Sequence, residues 1–106
     1  MDFQLAIRPM RDCLDKWETS ISEISNRVCA LRALPRDEHE LQEIAAGLGK
    51  ICNEAHVWFF DDLHEMALMT ECLVLDLQFG HLSWERHNID RLSEMLGSLS
   101  NIVSNV

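Results

Sequence analysis

Histidine and cysteine are the residues of this chain whose chemistry could serve catalysis or metal binding, and it has five and four of them. Asp61 and His64 stand three residues apart, which on a helix puts a carboxylate and an imidazole on adjacent turns. Helical-bundle metal sites use this spacing as Glu-x-x-His pairs from two helices, together with further Glu residues. Here the pair occurs once, and Leu68 stands where a zinc-protease helix needs its second histidine. We therefore predict no metal site and no cofactor.

A phosphotransfer function lacks its motif as well. Histidine phosphotransfer modules are also small, acidic and helical, and they resemble each other in having Lys three residues and Gly four residues after the reactive histidine. Neither His56 nor His64 is followed by that cation and that small residue. The chain also has no glycine-rich phosphate loop and no local sequence that would activate a thiol. The residues predict a protein that is not an enzyme, with a degenerate phosphotransfer module as an alternative.

The cysteines lie far apart, with no C-x-x-C pair, at Cys13, Cys29, Cys52 and Cys72. The N-terminus has no basic segment leading into an apolar stretch, so it does not look like a secretion signal. We expect a cytoplasmic protein whose cysteines are free thiols. The sequence leaves open whether one of them forms an intermolecular disulfide.

Length and composition indicate one domain, 1–106. Hydrophobic residues make up 47% of the chain, which is too many for a disordered protein, and acidic residues interrupt every apolar run before it could span a membrane. The net charge is −9. Residues 1–36 contribute +1 from six basic and five acidic residues, and the remainder contributes −10 from three basic and thirteen acidic residues. Such a surface repels nucleic acid, so we expect no direct binding to DNA or RNA.

Apolar residues recur at helical spacing, and the sequence predicts an all-α bundle of three to four helices. The predicted helices span 9–34, 37–56, 57–79 and 83–104, after an N-terminal arm at 1–8. In the first helix the apolar residues step by four and three for more than three heptads. Such a seam needs another helix beside it, and we predict that it joins two copies in a homodimer. The dimer seam consists of Leu14, Trp17, Ile21, Ile24 and Val28.

Capping residues place several helix ends. Pro35 ends the first helix at 34, and Asp37 with Glu40 predicts an N-cap and a capping box for the second. Gly80 is typical of the residue that follows a helix, and Ser83 is typical of an N-cap.

The stretch 55–79 is the most apolar part of the chain, and its apolar residues extend beyond one helix face. It predicts a central helix that packs inside the domain on one side and against another protein on the other. The inward side consists of Leu63, Met66, Met69 together with Thr70, and Leu73. The sequence leaves open whether 37–79 is one long helix or two pieces. Glycines at 47 and 49 either admit a neighbouring helix or mark a bend.

Consecutive aromatic residues provide the candidate binding site. On a helix three neighbouring side chains point about 100° apart, so they cannot all face one core. Large aromatics dominate the energy of protein interfaces, and acidic neighbours would form a polar rim. The predicted partner-binding residues are Trp58, Phe59, Phe60, Asp61, Asp62 and Trp84.

In length, helical content, acidity and absence of a catalytic motif, the whole chain resembles the small quorum-sensing anti-activators of pseudomonads typified by QslA. The resemblance implies a dimeric cytoplasmic protein that binds the ligand-binding domain of a LuxR-type activator. Occupying the activator's own dimerisation surface would stop it from binding DNA. The resemblance assigns no functional residue, because no motif aligns the chains.

These observations together predict a non-enzymatic regulator that binds another protein through exposed apolar helix faces. Besides the phosphotransfer module, a second alternative is a cytoplasmic secretion or assembly chaperone that holds a helical partner soluble.

Overall fold

Four α-helices build the part of the chain that the structure describes, residues 3–31 and 37–105. The structure is a computed structural model, and it describes side chains from Met10 onward. This architecture confirms the predicted all-α bundle. The helices are α1 (Phe3–Leu31), α2 (Glu38–Val57), α3 (Asp61–Gln78) and α4 (Arg86–Ser104).

The helices run alternately up and down. Each packs against its neighbour in the chain, and α4 also packs against α1, which closes the bundle. At one end, Trp17 of α1 meets Glu54 near the end of α2. Toward the other end, Arg27 of α1 pairs with Glu40 near the start of α2 at 3.1 Å. Short connections between antiparallel helices are the usual basis of such a bundle.

The core is formed by the inward stripe of every helix. The stripe of α1 that was predicted as a dimer seam contributes to this core, with Leu14 half-buried beside it. An a/d stripe packs equally well on helices of its own chain, and here α2 and α4 cover it. Self-association through this stripe stays a prediction, but in the described conformation the stripe is already occupied. Its buried members are Trp17, Ile21, Ile24 and Val28.

The first helix begins earlier than predicted. It starts at Phe3, so it includes most of the segment 1–8 that was expected to be an arm, and Pro9 lies within the helix instead of in its first turn. The alternation of apolar residues at 3, 5 and 7 resembles a strand, but positions 3 and 7 also continue the heptad register of α1. The predicted end of the helix at 34 lies outside the described residues.

Helix α2 begins with the predicted N-cap and contains the two glycines whose role the sequence left open. Asp37 is the N-cap of α2 and accepts hydrogen bonds from the backbone N–H groups of His39 and Glu40, while the Glu40 side chain accepts from Arg27 instead of completing a capping box. A Cβ on Gly47 would meet Ile24 at 3.1 Å, so this glycine admits α1, and α2 continues through it as one helix to Val57.

At the far end of the bundle, Gly80 follows α3 with a φ of 79°, as predicted for that position. Helix α4 begins later than predicted, at Arg86, and its N-cap is Glu85 instead of Ser83. The Ser83 carbonyl accepts a hydrogen bond from the buried Asn88 side chain at 2.8 Å. That bond holds the segment before α4 in a non-helical conformation.

Candidate protein-binding surface

The turn between α2 and α3, residues 58–60, settles whether 37–79 is one helix or two. We call these three residues the aromatic turn. Phe59 has a φ of 61°, its N–H donates to the carbonyl of His56, and the N–H of Phe60 donates to the carbonyl of Ala55 at 2.9 Å. This pair of bonds is a Schellman motif, which ends a helix and usually has glycine at the left-handed position. The three aromatics therefore do not lie on a helix, and the predicted start of the third helix at 57 is replaced by Asp61.

The three side chains of the aromatic turn differ in how deeply they are buried. Phe60 packs edge-on against Trp17, with ring centroids 5.7 Å apart, and the indole N–H of Trp17 donates to the Glu54 carboxylate at 3.0 Å. Trp58 is half-buried against the core. Phe59, in contrast, is 86% exposed. Two aromatics thus anchor the turn, and they leave the ring of the third in solvent.

Residues around Phe59 extend the exposed surface at this end of the bundle. Val57 is exposed beside it, and Asp61 and Asp62 are exposed in the first turn of α3. Negative charge at a helix N-terminus is favourable, so these acids stabilise α3 while they surround the apolar residues with charge. A shallow groove of about 520 Å³ runs from Asp61 and Asp62 to Asn101 at the end of α4.

Trp84 does not belong to this surface. It lies just before α4, at the opposite end of the bundle, where it is half-buried near Leu31 and Ile89. The structure therefore brings together five of the six predicted partner-binding residues, and Phe59, Asp61 and Asp62 are the ones with exposed side chains.

The inward stripe of α3 differs from the predicted one only at Met69. Met69 was expected to face the core together with Thr70, but Met69 is 56% exposed, whereas Thr70 is fully buried. The Thr70 hydroxyl donates a hydrogen bond to the carbonyl of Met66 at 2.6 Å. Because the hydroxyl is hydrogen-bonded within the helix, the free-energy cost of burying it is small. Met69 consequently lies on the outward face of α3 with Leu68.

Two histidines and a cysteine, His56, His64 and Cys52, lie close together between α2 and α3. The Nδ1 atom of His64 lies 3.0 Å from the Cys52 carbonyl oxygen and 3.2 Å from the Cys52 sulfur. The ring of His56 lies 5.0 Å from that of His64. Burial raises the pKa of the Cys52 thiol, and the carboxylate of Glu71 and the thiol of Cys72 raise it further.

The raised pKa of the Cys52 thiol favours its protonated form over the thiolate, which is the nucleophilic form of cysteine. Among residues 3–31 and 37–105, no three His, Cys, Asp or Glu side chains are arranged to hold a metal ion. The cysteines are free thiols, and Cys29 and Cys72 are exposed. Within the described residues, no buried side-chain nitrogen or oxygen lacks a hydrogen-bond partner.

Comparisons with protein-family models, with curated proteins and with solved structures gave no match. In the described part of the chain, none of the helices combines the length and apolar character needed to cross a bilayer.

Proposed function

We propose that this protein is a non-enzymatic regulator that acts by binding another protein, and that Phe59 is a principal anchor. The observation that supports this most is the combination of exposure and backbone conformation at Phe59, which is 86% exposed at a φ of 61°. A left-handed conformation costs a residue with a Cβ about 1–2 kcal/mol. Glycine would serve the turn without that cost and without leaving a large apolar ring in water, so contact with a partner accounts for the phenylalanine.

The surrounding residues fit the anatomy of a binding site. Phe59 and Val57 supply the apolar centre, and the carboxylates of Asp61 and Asp62 supply the rim. Interfaces of this kind take most of their binding energy from a few aromatic anchors, while rim charges favour association with an oppositely charged surface. The partner surface is therefore a hydrophobic pocket bordered by basic residues.

We propose that the partner is a LuxR-type transcription activator and that the protein is a cytoplasmic anti-activator. The resemblance to small quorum-sensing anti-activators supports this choice. The net charge of −9 supports it as well, because a protein that repels DNA acts on the activator instead of the promoter. By inserting Phe59 into the surface through which two activator subunits associate, the protein would hold the activator in a form that cannot bind a palindromic site.

Sedimentation velocity with the purified ligand-binding domain of a LuxR-type activator from the protein's own host tests this proposal. We expect the activator's homodimer to be replaced, at micromolar concentrations, by a complex that contains this protein and a single activator subunit. DNA binding by the full-length activator should fall in parallel. An activator dimer that persists with excess protein, or a ternary complex that still binds DNA, would contradict the proposal. The protein run alone in the same experiment reports whether it is a homodimer.

A further inference from the structure

Helix α1 is longer than the bundle that it helps to build. It has 29 residues, whereas α2, α3 and α4 have 20, 18 and 19. Trp17 of α1 already lies beside Glu54, close to the last residue of α2. Glu18 lines a shallow groove with Ser100, which is one turn before the end of α4. The helix nevertheless continues from Trp17 to Phe3, a distance of roughly 20 Å at about 1.5 Å per residue.

We call residues 3–13 the projecting segment, because α2 ends and α3 begins about level with its base. The molecule is accordingly 53 Å long and 21 Å in its other two dimensions. A helix of the length of α2 measures only about 30 Å. The projecting segment therefore extends past the end of the bundle that carries the aromatic turn.

A helix end outside a bundle needs a packing partner to be stable in water. Isolated helices shorter than about 12–15 residues are marginal, because nucleation is costly and few hydrogen bonds follow it. Pro9 adds to the cost, since it lacks the N–H that would donate to the carbonyl four residues earlier. Helix α1 nonetheless runs through Pro9 to Phe3. The helical conformation of residues 3–8 thus indicates a contact that one copy of the bundle does not supply.

The apolar stripe of α1 continues into the projecting segment. Its buried part begins at Trp17 and faces the bundle interior. Toward the N-terminus, the next positions of the same register are 14, 10, 7 and 3, which hold Leu14, Met10, Ile7 and Phe3. The side chains of Leu14 and Met10 are half-buried. Because the buried part faces the bundle axis, a helix packed on its continuation lies across the end of the bundle.

The stripe of the projecting segment is self-complementary. Its positions are separated by four, three and four residues, an order that is the same in both directions. Two projecting segments packed antiparallel therefore place position 3 opposite 14 and position 7 opposite 10, so that every apolar residue meets another. Parallel packing fails, because both bundles would then extend in the same direction and occupy the same space.

Charge supports a second copy as the occupant. The end of the bundle carries Asp61 and Asp62 in a groove of about 520 Å³ whose described lining contains no lysine or arginine. The projecting segment, in contrast, carries Arg8 and Arg11 against one acid, Asp12. Antiparallel pairing brings the basic segment of each copy to the acidic bundle end of the other, and two-fold symmetry makes this contact twice. Opposite charges on facing surfaces favour association.

We propose that the protein forms a two-fold dimer through its projecting segments. The two segments lie antiparallel to each other, and each lies over the end of the other copy's bundle. The interface is therefore displaced toward the N-terminus from the dimer seam predicted at 14–28, and it shares only Leu14 with that seam. This proposal does not rest on the proposed function, because it concerns the protein alone.

Sedimentation velocity of the full-length protein, without any other protein, tests the dimer. We expect a dimer that dissociates in the range of about 1–100 µM. Met10→Glu should weaken self-association at least about tenfold, since it places a carboxylate in an apolar contact. Met69→Glu is the matched control: it adds the same charge at an exposed methionine of α3 and should leave association unchanged. A monomer at every concentration, or equal loss in both variants, would overturn the proposal.

A mixture of two variants tests the antiparallel register. Ile7→Lys should also be monomeric alone, but an equimolar mixture of Ile7→Lys and Met10→Glu should associate within a few-fold of the wild type. The mixed dimer pairs the introduced ammonium with the introduced carboxylate, and it keeps one native contact between positions 7 and 10. No rescue in the mixture would overturn the arrangement.

Far-UV circular dichroism shows whether the variants still fold. Met10 does not belong to the buried core, so both variants should keep the helical signal of the bundle. Loss of that signal in Met10→Glu would place this residue in the core and would also overturn the proposal.

Discussion

At the scale of single residues, two features stand out: the contact between Cys52 and His64 and the exposed Phe59 in a left-handed conformation. The side chains of His64 and Cys52 each contact the backbone carbonyl of the other residue. Nδ1 of His64 contacts the Cys52 carbonyl, and the Cys52 thiol donates to the His64 carbonyl at 3.7 Å. These bonds tie the end of α2 to the start of α3. They stabilise the helix pair from which the aromatic turn projects.

The pKa of Cys52 leads to a prediction about pH. Since burial raises the pKa of this thiol above 9.0, the folded protein retains a proton that the unfolded chain loses. The stabilising effect is complete below the unfolded pKa, and it is lost as the pH rises through the higher folded pKa. We expect the free energy of unfolding to fall more steeply between about pH 8 and pH 10 in the wild type than in Cys52→Ala, as measured by urea titration. Identical slopes would contradict the burial of this thiol.

At the scale of elements, Trp17 connects α1 to the aromatic turn. Its side chain is 1% exposed, it packs against Phe60, and its N–H is satisfied by Glu54. The same residue thus fills the core and fixes the turn, so the position of Phe59 depends on a helix distant in sequence.

Trp17→Phe tests this connection. The substitution leaves a small cavity and removes the hydrogen bond to Glu54, and we expect it to reduce the free energy of unfolding by about 1–3 kcal/mol. Trp84→Phe is the matched control, because Trp84 is only half-buried, and it should have a clearly smaller effect. Urea unfolding followed by far-UV circular dichroism measures both. Equal effects would show that Trp17 has no special role.

The elements also show what the sequence could predict. The apolar stripes of α1 and α4 and the N-cap at Asp37 follow from spacing and local chemistry, and the structure contains them. The helix break at Phe59 could not be predicted, because the break has no glycine or proline and depends on Trp17 holding Phe60. The spacing put Met69 and Thr70 on the same inward face and could not choose between them, since only the structure shows the Thr70 hydroxyl bonded to the Met66 carbonyl.

At the scale of the whole molecule, the buried core and the exposed apolar surface are separate. The bundle buries the inward stripe of each helix within one chain, yet it leaves five large apolar side chains exposed: Val57, Phe59, Leu68, Met69 and Phe79. These side chains are not part of the buried core. Among them, Phe59 combines exposure with a left-handed backbone, and we propose that the aromatic turn is the surface through which this acidic protein acts.

The most direct test is to measure Phe59→Gly twice, for stability and for binding to the LuxR-type ligand-binding domain. Glycine relieves the left-handed strain but is more flexible when unfolded, so we expect the free energy of unfolding to rise by about 0.5–1 kcal/mol. The affinity should fall at least about tenfold, since an aromatic anchor is lost.

Phe79→Gly is the matched control, because Phe79 is also exposed but lies at the far end of the bundle with a φ of −91°. It should bind normally and gain no stability. The predicted result is thus a Phe59→Gly protein that is more stable than the wild type and binds its partner worse. A Phe59→Gly protein that binds as tightly as the wild type would contradict the account.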